Sequence, residues 1–575
     1  MTLMSGAQML VRTLEDLGVE YLFGYPGGAV LDIYDALLDS HKLHHVLGRH
    51  EQGLAMAADG YARTTGKVGV CLVTSGPGST NTVTAIATAY MDSIPLVVIT
   101  GQVGTQLIGS DAFQEVDTIG ITRPVVKHSY LCQKATDIPK YIRQAFYLAS
   151  TGRPGPVVVD VPKDCVRPSQ KFEYPEPEEV HLRSYDPTLQ GHKGQIKRIT
   201  KVLAEAKRPV LMLGGGTIAS NASEQIRELA HQFRLPVVST LMGLGVYSGD
   251  DPQFLGMVGM HGTYEANQAM DKADLVLALG VRFDDRVTNN LGKFCPEAAI
   301  VHVDIDPASI SKTVRTDYPV VGDVSRVLTQ LKNSIEELKV GCDNQAMDAW
   351  WAQIEEWRGE QSLNFEHKSA VIEPQEIVQT LSELTRGEAV ITTDVGQHQM
   401  FTAQYYKFTK PRRFLTSGGL GTMGYGFPAG IGAYLGVKDQ RLPVCVLTGD
   451  GSFQMNIQEL STCLEFQIPL KIFIFDNSTL GNVRQWQRMF YRGRISSTDL
   501  KFNPDFVALA KAYGHEAFRI EKPEELRAGI QRALDIKDKL VLVDIVCDTD
   551  ALIMPMQKGG GRMSEMVLRS DGNTY

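Results

Sequence analysis

One unit recurs along this chain. A run of β-branched and other apolar residues leads into a turn rich in Gly, Ser and Asp, and a segment with helical periodicity follows. Examples are "VGVCLVTSGPGSTNTVTAIATAYMDS", "PVLMLGGGTIASNASEQIRELAHQF" and "PVCVLTGDGSFQMNIQELSTCLEF". The apolar runs do not alternate with polar residues, so they read as strands buried on both faces, as parallel strands are under covering helices. Strand, turn and helix repeated in this way predict doubly wound α/β layers with ligands at the carboxyl ends of the strands. The chain has 575 residues, too many for one core, since single cores stop growing near ~250–300 residues. Two stretches interrupt the rhythm. Residues 166–192 are polar and Pro-rich, and residues 341–373 are charged, helical and Trp-bearing; both read as connectors. The expectation is three doubly wound parallel-sheet domains, at residues 1–180, 190–345 and 370–575.

Charge and composition exclude several classes. The net charge is −9, with no basic stripe of the kind that follows a nucleic-acid backbone. No apolar run reaches the ~18–20 residues of a membrane span. The N-terminal "MTLMSGAQMLVRTLEDLG" reads as an amphipathic helix with acidic residues, not a signal peptide. The eight cysteines are scattered without a CxxC pair. They read as small buried residues of a reducing compartment, so a cytoplasmic location is expected.

The chemistry gathers first around "VLTGDGSFQM". Asp450 stands beyond a strand end, between Gly449 and Gly451, which leave the backbone bare for a bulky anion. A helix is expected to begin near Asn456 and aim its N–H groups there. Twenty-five residues separate Gly451 from Asn477, which ends the next strand. A carboxylate, an amide oxygen and a backbone carbonyl on one rim are hard ligands, suited to Mg²⁺ bridging a diphosphate. Gly-Asp-Gly by itself reads rather as a tight turn with a helix cap; the spaced asparagine is what favours the metal.

This spacing resembles the diphosphate motif of thiamine-diphosphate enzymes. The resemblance implies Mg²⁺ on Asp450, Asn477 and the backbone oxygen of Thr479, with Gly449, Gly451 and Ser452 against the cofactor. The usual Asn-Asn ending is here Asp476-Asn477, a departure at the non-liganding position. "DVGQHQM" is similar to the family's second diphosphate loop, with Gly396, Gln397 and His398 facing the phosphates. Glu51, in "RHEQ", falls at a strand-to-helix junction. An acidic first turn suits the helix dipole in any case, but the resemblance implies the carboxylate that hydrogen-bonds the cofactor's aminopyrimidine and activates it. In the family that carboxylate and the diphosphate motif meet across a subunit interface, which implies a homodimer or tetramer.

Longer blocks resemble one branch, the catalytic subunits of the acetohydroxyacid (acetolactate) synthases. They run nearly end to end: "GYPGGAVLDIYDAL", "TSGPGSTN", "DAFQE", "GRPGPVVVDVPKD", "GMHGTYEAN", "GVRFDDRVT", "HVDIDP", "SGGLGTMGYGFPA", "GDGSFQMNIQEL" and "RQWQ". The match implies that Gly27 offers a backbone N–H to a developing oxyanion. It puts Phe113, Gln114, Lys163 and Met257 about the substrate pocket, and Met423 under the bend of the cofactor. Arg282 would clamp the carboxylate of the second 2-keto acid, unless it pairs with Asp284 or Asp285. Trp486 would favour 2-ketobutyrate over pyruvate as acceptor. Arg153, Gly214, Gly215, His261, Gly262, Thr263, Asp304 and Asp323 would form the surface for FAD, a structural group that performs no redox step in this branch.

The implied reaction decarboxylates pyruvate on thiamine diphosphate and condenses the hydroxyethyl carbanion with pyruvate or 2-ketobutyrate, on the way to the branched-chain amino acids. A separate small regulatory subunit is the expected partner. Pyruvate oxidase and the catabolic acetolactate synthases are the alternatives on the same scaffold; the catabolic enzymes lack "RFDDR". A degenerate binding paralogue would have lost Glu51, Asp450 or Asn477, and all three are present. One departure stands near the cofactor: Gly481-Asn482-Val483 occupies the place of the usual Gly-Met-Val.

Overall fold

The computed structural model describes residues 3–176 and 179–569. Three six-stranded parallel sheets form the frame. In the first, the strands lie in the order His44–Leu47, Tyr21–Gly24, Gly69–Val73, Leu96–Gln102, Pro156–Pro162 and His128–Leu131. The third repeats that winding as Phe414–Leu415, Val390–Thr393, Val444–Gly449, Lys471–Asp476, Val541–Val546 and Glu516–Ile520. The middle sheet runs Phe254–Met257, Val237–Ser239, Pro209–Leu213, Leu275–Leu279, Ala299–Asp304 and Tyr318–Val321. The winding of the middle sheet reverses once, while that of the first and third reverses near one edge and turns back again at the other; crevices for ligands open beyond such reversals. The continuous apolar runs are the central strands; Leu96–Gln102 and Val444–Gly449 are buried at every residue.

The first and third sheets share a core, joined through the helices Glu51–Thr65 and Gly426–Val437. Small residues bring these helices into backbone contact. A Cβ at Gly60 would lie 2.2 Å from the Ala429 carbonyl oxygen, and one at Gly432 would lie 1.7 Å from that of Ala57. The helix opened by Glu51 is therefore held directly on the domain that carries Asp450.

The N-terminal helix forms as Gly6–Asp16, closed by a capping box between Ser5 and Gln8. The stretch 341–373 is more than a connector. Its helix Asn344–Arg358 buries Met347, Trp350 and Ile354 in the middle domain, and Trp350 Nε1 donates to the Pro209 carbonyl at 3.2 Å. The chain after Val546 also returns to that domain. There Arg562 lies 3.1 Å from the buried Asp271, and Asn289 donates to the Lys558 carbonyl at 2.8 Å. All eight cysteines are free, and seven are buried. Among the described residues no helix is long and apolar enough to cross a membrane.

Candidate active site

The third sheet reverses between Val390–Thr393 and Val444–Gly449. A cleft of about 170 Å³ opens beyond those two strand ends and is lined by residues of the third domain, among them Gly396, His398, Met423, Asp450 and Asn477. A short helix, Asp450–Phe453, opens at Asp450 itself, and a second helical stretch begins just after Asn456, as the turn Ile457–Glu459 running into the helix Leu460–Glu465. Asn456 also holds the loop that presents Met423, its side-chain amide donating to the Gly424 carbonyl at 2.6 Å. Asp450 is 2 % exposed. One carboxylate oxygen accepts from Gly451 N at 2.9 Å and the other from Asn503 Nδ2 at 2.8 Å. Burial, reinforced by the neighbouring Asp476 carboxylate, pushes its pKa up to about 7.

Asn477 follows directly on the strand Lys471–Asp476, so it shares the rim with Asp450. Its Oδ1 accepts from Thr479 N at 3.2 Å, across Ser478 in the left-handed region (φ 54°). Thr479 is buried, with its hydroxyl committed to the Thr498 carbonyl at 2.8 Å, which leaves its own carbonyl as the group it can offer a cation. The His398 ring packs against two glycines: a Cβ at Gly396 would lie 2.9 Å from it and one at Gly449 3.1 Å. Burial drives this imidazole down to about 3, so it is neutral, and its Nε2 is buried without a partner. Gln397 lines the cleft, but its amide nitrogen is engaged by Gln485 and the Ala551 carbonyl. Ser452 donates weakly to the Val395 carbonyl at 3.5 Å.

These residues fit a metal–diphosphate group. The oxygen donors of Asp450 and Asn477 are hard and adjacent, two glycines leave the backbone bare, and a buried imidazole nitrogen lacks a partner.

The first domain gathers a second set of residues. The helix Glu51–Thr65 starts at Glu51, with His50 as its cap. Glu51 Oε2 accepts from Asn81 Nδ2 at 3.0 Å. A Cβ at Gly78 would lie 3.7 Å from Glu51 Oε1, one at Gly76 would lie 2.8 Å from the Gln114 carbonyl, and one at Gly27 would lie 2.5 Å from the Thr74 side chain. Glu51, Gln114 and Gly27 thus flank the single turn 74–78. Phe113, beside them, is 88 % exposed. Lys163 is exposed at the end of Pro156–Pro162. None of these residues lines the cleft around Asp450. Within one chain the carboxylate and the clasp are separate structures.

Trp486 lies on the helix Gly481–Phe490, half-buried, with Nε1 lacking a partner. The arginine over its ring is Arg286, at 5.7 Å from the centroid. Arg282 is half-buried, and among the described residues it forms no ion pair; Asp284 is used to cap the helix Asp285–Thr288. Met257 is 6 % exposed, inside the core shared by the middle and third domains, and does not line the cleft.

In the middle domain, Gly214 meets the crossover between Pro209–Leu213 and Leu275–Leu279, where its Cβ would lie 2.2 Å from the Gly280 carbonyl. A Cβ at Gly215 would lie 3.3 Å from Met242, and one at Gly262 would lie 2.5 Å from the Met257 carbonyl. Thr263 and Asp323 are helix caps whose polar atoms are used inside the fold. Asp304 accepts from Asp306 N at 2.8 Å. Arg153 reaches over from the first domain to Asp306 at 3.2 Å, and His261 Nδ1 is buried without a partner. The crossover, Arg153 and the orphaned His261 nitrogen are the features that fit a dinucleotide.

Three sequence families match this chain. Their descriptions are the N-terminal TPP binding domain (residues 4–121), the central domain (196–331) and the C-terminal TPP binding domain (394–545) of thiamine pyrophosphate enzymes. The acetolactate synthase large subunit of Haemophilus influenzae is 54 % identical over 98 % of both chains. The acetolactate synthase isozyme 3 large subunit of Escherichia coli is 54 % identical over 100 % of both. The acetolactate synthase of Mycobacterium bovis is 46 % identical over 98 % of this chain and 91 % of its own. The chain belongs to the acetolactate synthase large-subunit family.

Several residues of this large-subunit chain carry no clear signal in the sequence. Asn503, which holds the Asp450 carboxylate, lies outside any block that suggests a role. Gln485 stands inside "RQWQ", where its aromatic neighbour is the more conspicuous residue. Arg286 closes "RFDDR", and the signal that could have found it is the second arginine of that motif.

Proposed function

We propose that this chain is a biosynthetic acetolactate synthase. It joins two pyruvates into 2-acetolactate with loss of CO₂, and pyruvate with 2-ketobutyrate into 2-aceto-2-hydroxybutyrate. The observation that carries the reading is the pairing of Asp450 and Asn477 on adjacent strand ends, beside the unpartnered His398 Nε2. Thiamine diphosphate, when bound, supplies the electron sink for decarboxylation and carbon–carbon bond formation. Asp450, Asn477 and the Thr479 carbonyl would hold Mg²⁺, and Gly449, Gly451, Ser452, Gly396, His398 and the backbone N–H of Gln397, at the start of its helix, would receive the diphosphate. Met423, which lines the cleft, would pack against the bound cofactor.

Glu51 holds a proton against a ring nitrogen of the cofactor's pyrimidine. Its separation from the cleft supports an assembly in which Glu51 of one subunit serves the cleft of another, in a dimer or a pair of dimers. Gly27, Phe113, Gln114 and Lys163 surround the substrate from the Glu51 side. Arg286 faces Trp486 and, with Arg282 nearby, meets the acceptor's carboxylate. FAD sits on the middle domain between Gly214, His261, Asp304 and Arg153 as a structural group. A small regulatory subunit is the natural partner of a large-subunit chain, and the free, mostly buried thiols suit the cytoplasm.

The test is an anaerobic assay with pyruvate and 2-ketobutyrate in the presence of thiamine diphosphate, Mg²⁺ and FAD. Both acetohydroxyacids form while the flavin stays oxidised. Bleaching of the flavin, or release of acetaldehyde as the main product, would overturn the assignment.

A further inference from the structure

The helix Gly481–Phe490 carries Trp486 at one face and begins beside Asn477. What joins the two is a chain of buried amides. Asn477 Nδ2 donates to Gln397 Oε1 at 3.4 Å. Gln397 Nε2 donates to Gln485 Oε1 at 3.0 Å and to the Ala551 carbonyl at 2.8 Å. Ile553 N donates to the same Gln485 oxygen at 2.9 Å. Gln485 is 1 % exposed. The start of the helix abuts this chain so closely that a Cβ at Gly481 would lie 2.1 Å from Gln397 Oε1 and 2.9 Å from Asn477 Nδ2. From outside, the same helix meets Arg286, which lies over the Trp486 ring.

The chain has a direction: each amide donates through nitrogen to the oxygen of the next. A cation drawn onto Asn477 Oδ1 polarises that amide and makes its N–H groups better donors. The polarisation passes to Gln397 and on to Gln485, because hydrogen bonds in series strengthen one another in a low dielectric. The series ends where Gln485 Nε2 donates to the Ile553 carbonyl at 3.4 Å. The Trp486 backbone follows Gln485 by one residue.

We propose that Gln485 is a positioning residue for acceptor choice: through Gln397 and Asn477 it couples occupancy of the metal–diphosphate site to the pose of the helix that presents Trp486. This rests on the reading of Asn477 as a metal ligand and of Trp486 as the residue that shapes the acceptor pocket. Gln485 touches no reacting atom; it acts through its neighbour.

The experiment uses the full-length chain with Mg²⁺ and thiamine diphosphate. Trp486 emission is isolated as the difference between the parent and Trp486→Phe. In the parent, adding Mg²⁺ and thiamine diphosphate shifts that emission. In Gln485→Met, calorimetry still reports cofactor binding, but the shift is lost. With both 2-keto acids present, the ratio of 2-aceto-2-hydroxybutyrate to 2-acetolactate falls about tenfold, the factor that ~1.4 kcal/mol represents. Gln397→Met added to Gln485→Met gives no further fall, since both belong to one chain of bonds. A Gln485→Met protein that keeps both the emission shift and the product ratio overturns the proposal. If that variant fails to fold, Gln485→Asn, which withdraws the amide by one methylene, is read by the same two measurements. A parent chain that makes no acetolactate would defeat the proposed function, while the emission shift still decides the coupling.

Discussion

Both carboxylate oxygens of Glu459 accept the backbone N–H of Arg49, at 3.1 and 3.2 Å, across 410 residues of chain. Glu459 is 1 % exposed and sits in the turn Ile457–Glu459, just after the Asp450 helix. Arg49 stands two residues before Glu51. Within one chain, then, the segment that follows Asp450 anchors the start of the helix that bears Glu51. Glu459→Leu removes the acceptor of the part-buried Arg49 N–H and of the buried Thr462 hydroxyl, which costs ~1–3 kcal/mol. The expected outcome is a lower denaturant midpoint and a reduced turnover, with the calorimetric affinity for thiamine diphosphate little changed.

The Asp450 carboxyl, pushed up to about 7 by burial, gives the proposed metal site a pH dependence. Its folded pKa lies above the unfolded value of ~3.9, so the metal-free protein loses stability as pH rises through that window, and Mg²⁺ with thiamine diphosphate restores it. A protonated carboxyl offers no charge to a cation. Calorimetric Mg²⁺ affinity, measured in the presence of thiamine diphosphate, therefore tightens by up to about tenfold for each unit that the pH rises toward 7, and levels off above it. Asp450→Asn removes the dependence together with most of the affinity.

A buried ionic cluster joins the first and third domains. Arg63 lies 2.6 Å from Asp59 and 2.9 Å from Asp92, and donates to the Thr416 carbonyl at 2.9 Å. Tyr425 donates to Asp59 at 2.5 Å, while Asp92 accepts from Gly418 N and Gly419 N. The loop so fixed is the one that presents Met423. Arg63→Met strands two buried carboxylates and should cost ~3–5 kcal/mol. Tyr425→Phe, which removes one donor, should cost ~1–3 kcal/mol. Denaturant midpoints of the two variants give the comparison.

The glycine contact between the Glu51 helix and Gly426–Val437 makes a sharper steric prediction. Gly432→Ala drives a methyl into the Ala57 carbonyl and should cost ~1–3 kcal/mol or more, lowering turnover as the Glu51 helix shifts. Gly28→Ala, where a Cβ meets nothing within 4 Å, is the control and should leave the melting temperature unchanged.

The sequence made much of this frame legible because its strongest signals are local. Continuous apolar runs mark two-sided strands, and glycines at strand ends mark bare turns, so Asp450, Asn477 and Glu51 could be placed at strand ends before any coordinates. What stayed hidden depends on chain separation. Nothing near Glu459 announces Arg49, and nothing near Gln485 announces Gln397; those bonds exist only once the sheets are wound. The helical start after Asn456 was legible, but the extra short helix Asp450–Phe453 before it was not, nor was the use of the Asn456 amide to hold Gly424. The stretch 341–373 reads as a connector because its charge masks a buried face of Met347, Trp350 and Ile354. Arg286 stays hidden because spacing alone cannot decide which of two arginines in one turn faces an aromatic ring contributed from another domain.

The central claim is that Glu51 and the Asp450–Asn477 clasp are two halves of one acetolactate-forming centre, supplied by different subunits. Co-expression of Glu51→Gln chains with Asp450→Asn chains tests it most directly, with acetolactate formation as the readout. Each variant alone should be inactive by orders of magnitude, with thiamine diphosphate still bound by Glu51→Gln. Their mixture should regain about a quarter of the parent rate, because in a two-fold dimer half the assemblies are mixed and each of those holds one intact site. A Glu51→Gln chain that turns over at the parent rate, or a mixture as inactive as its components, would contradict the account.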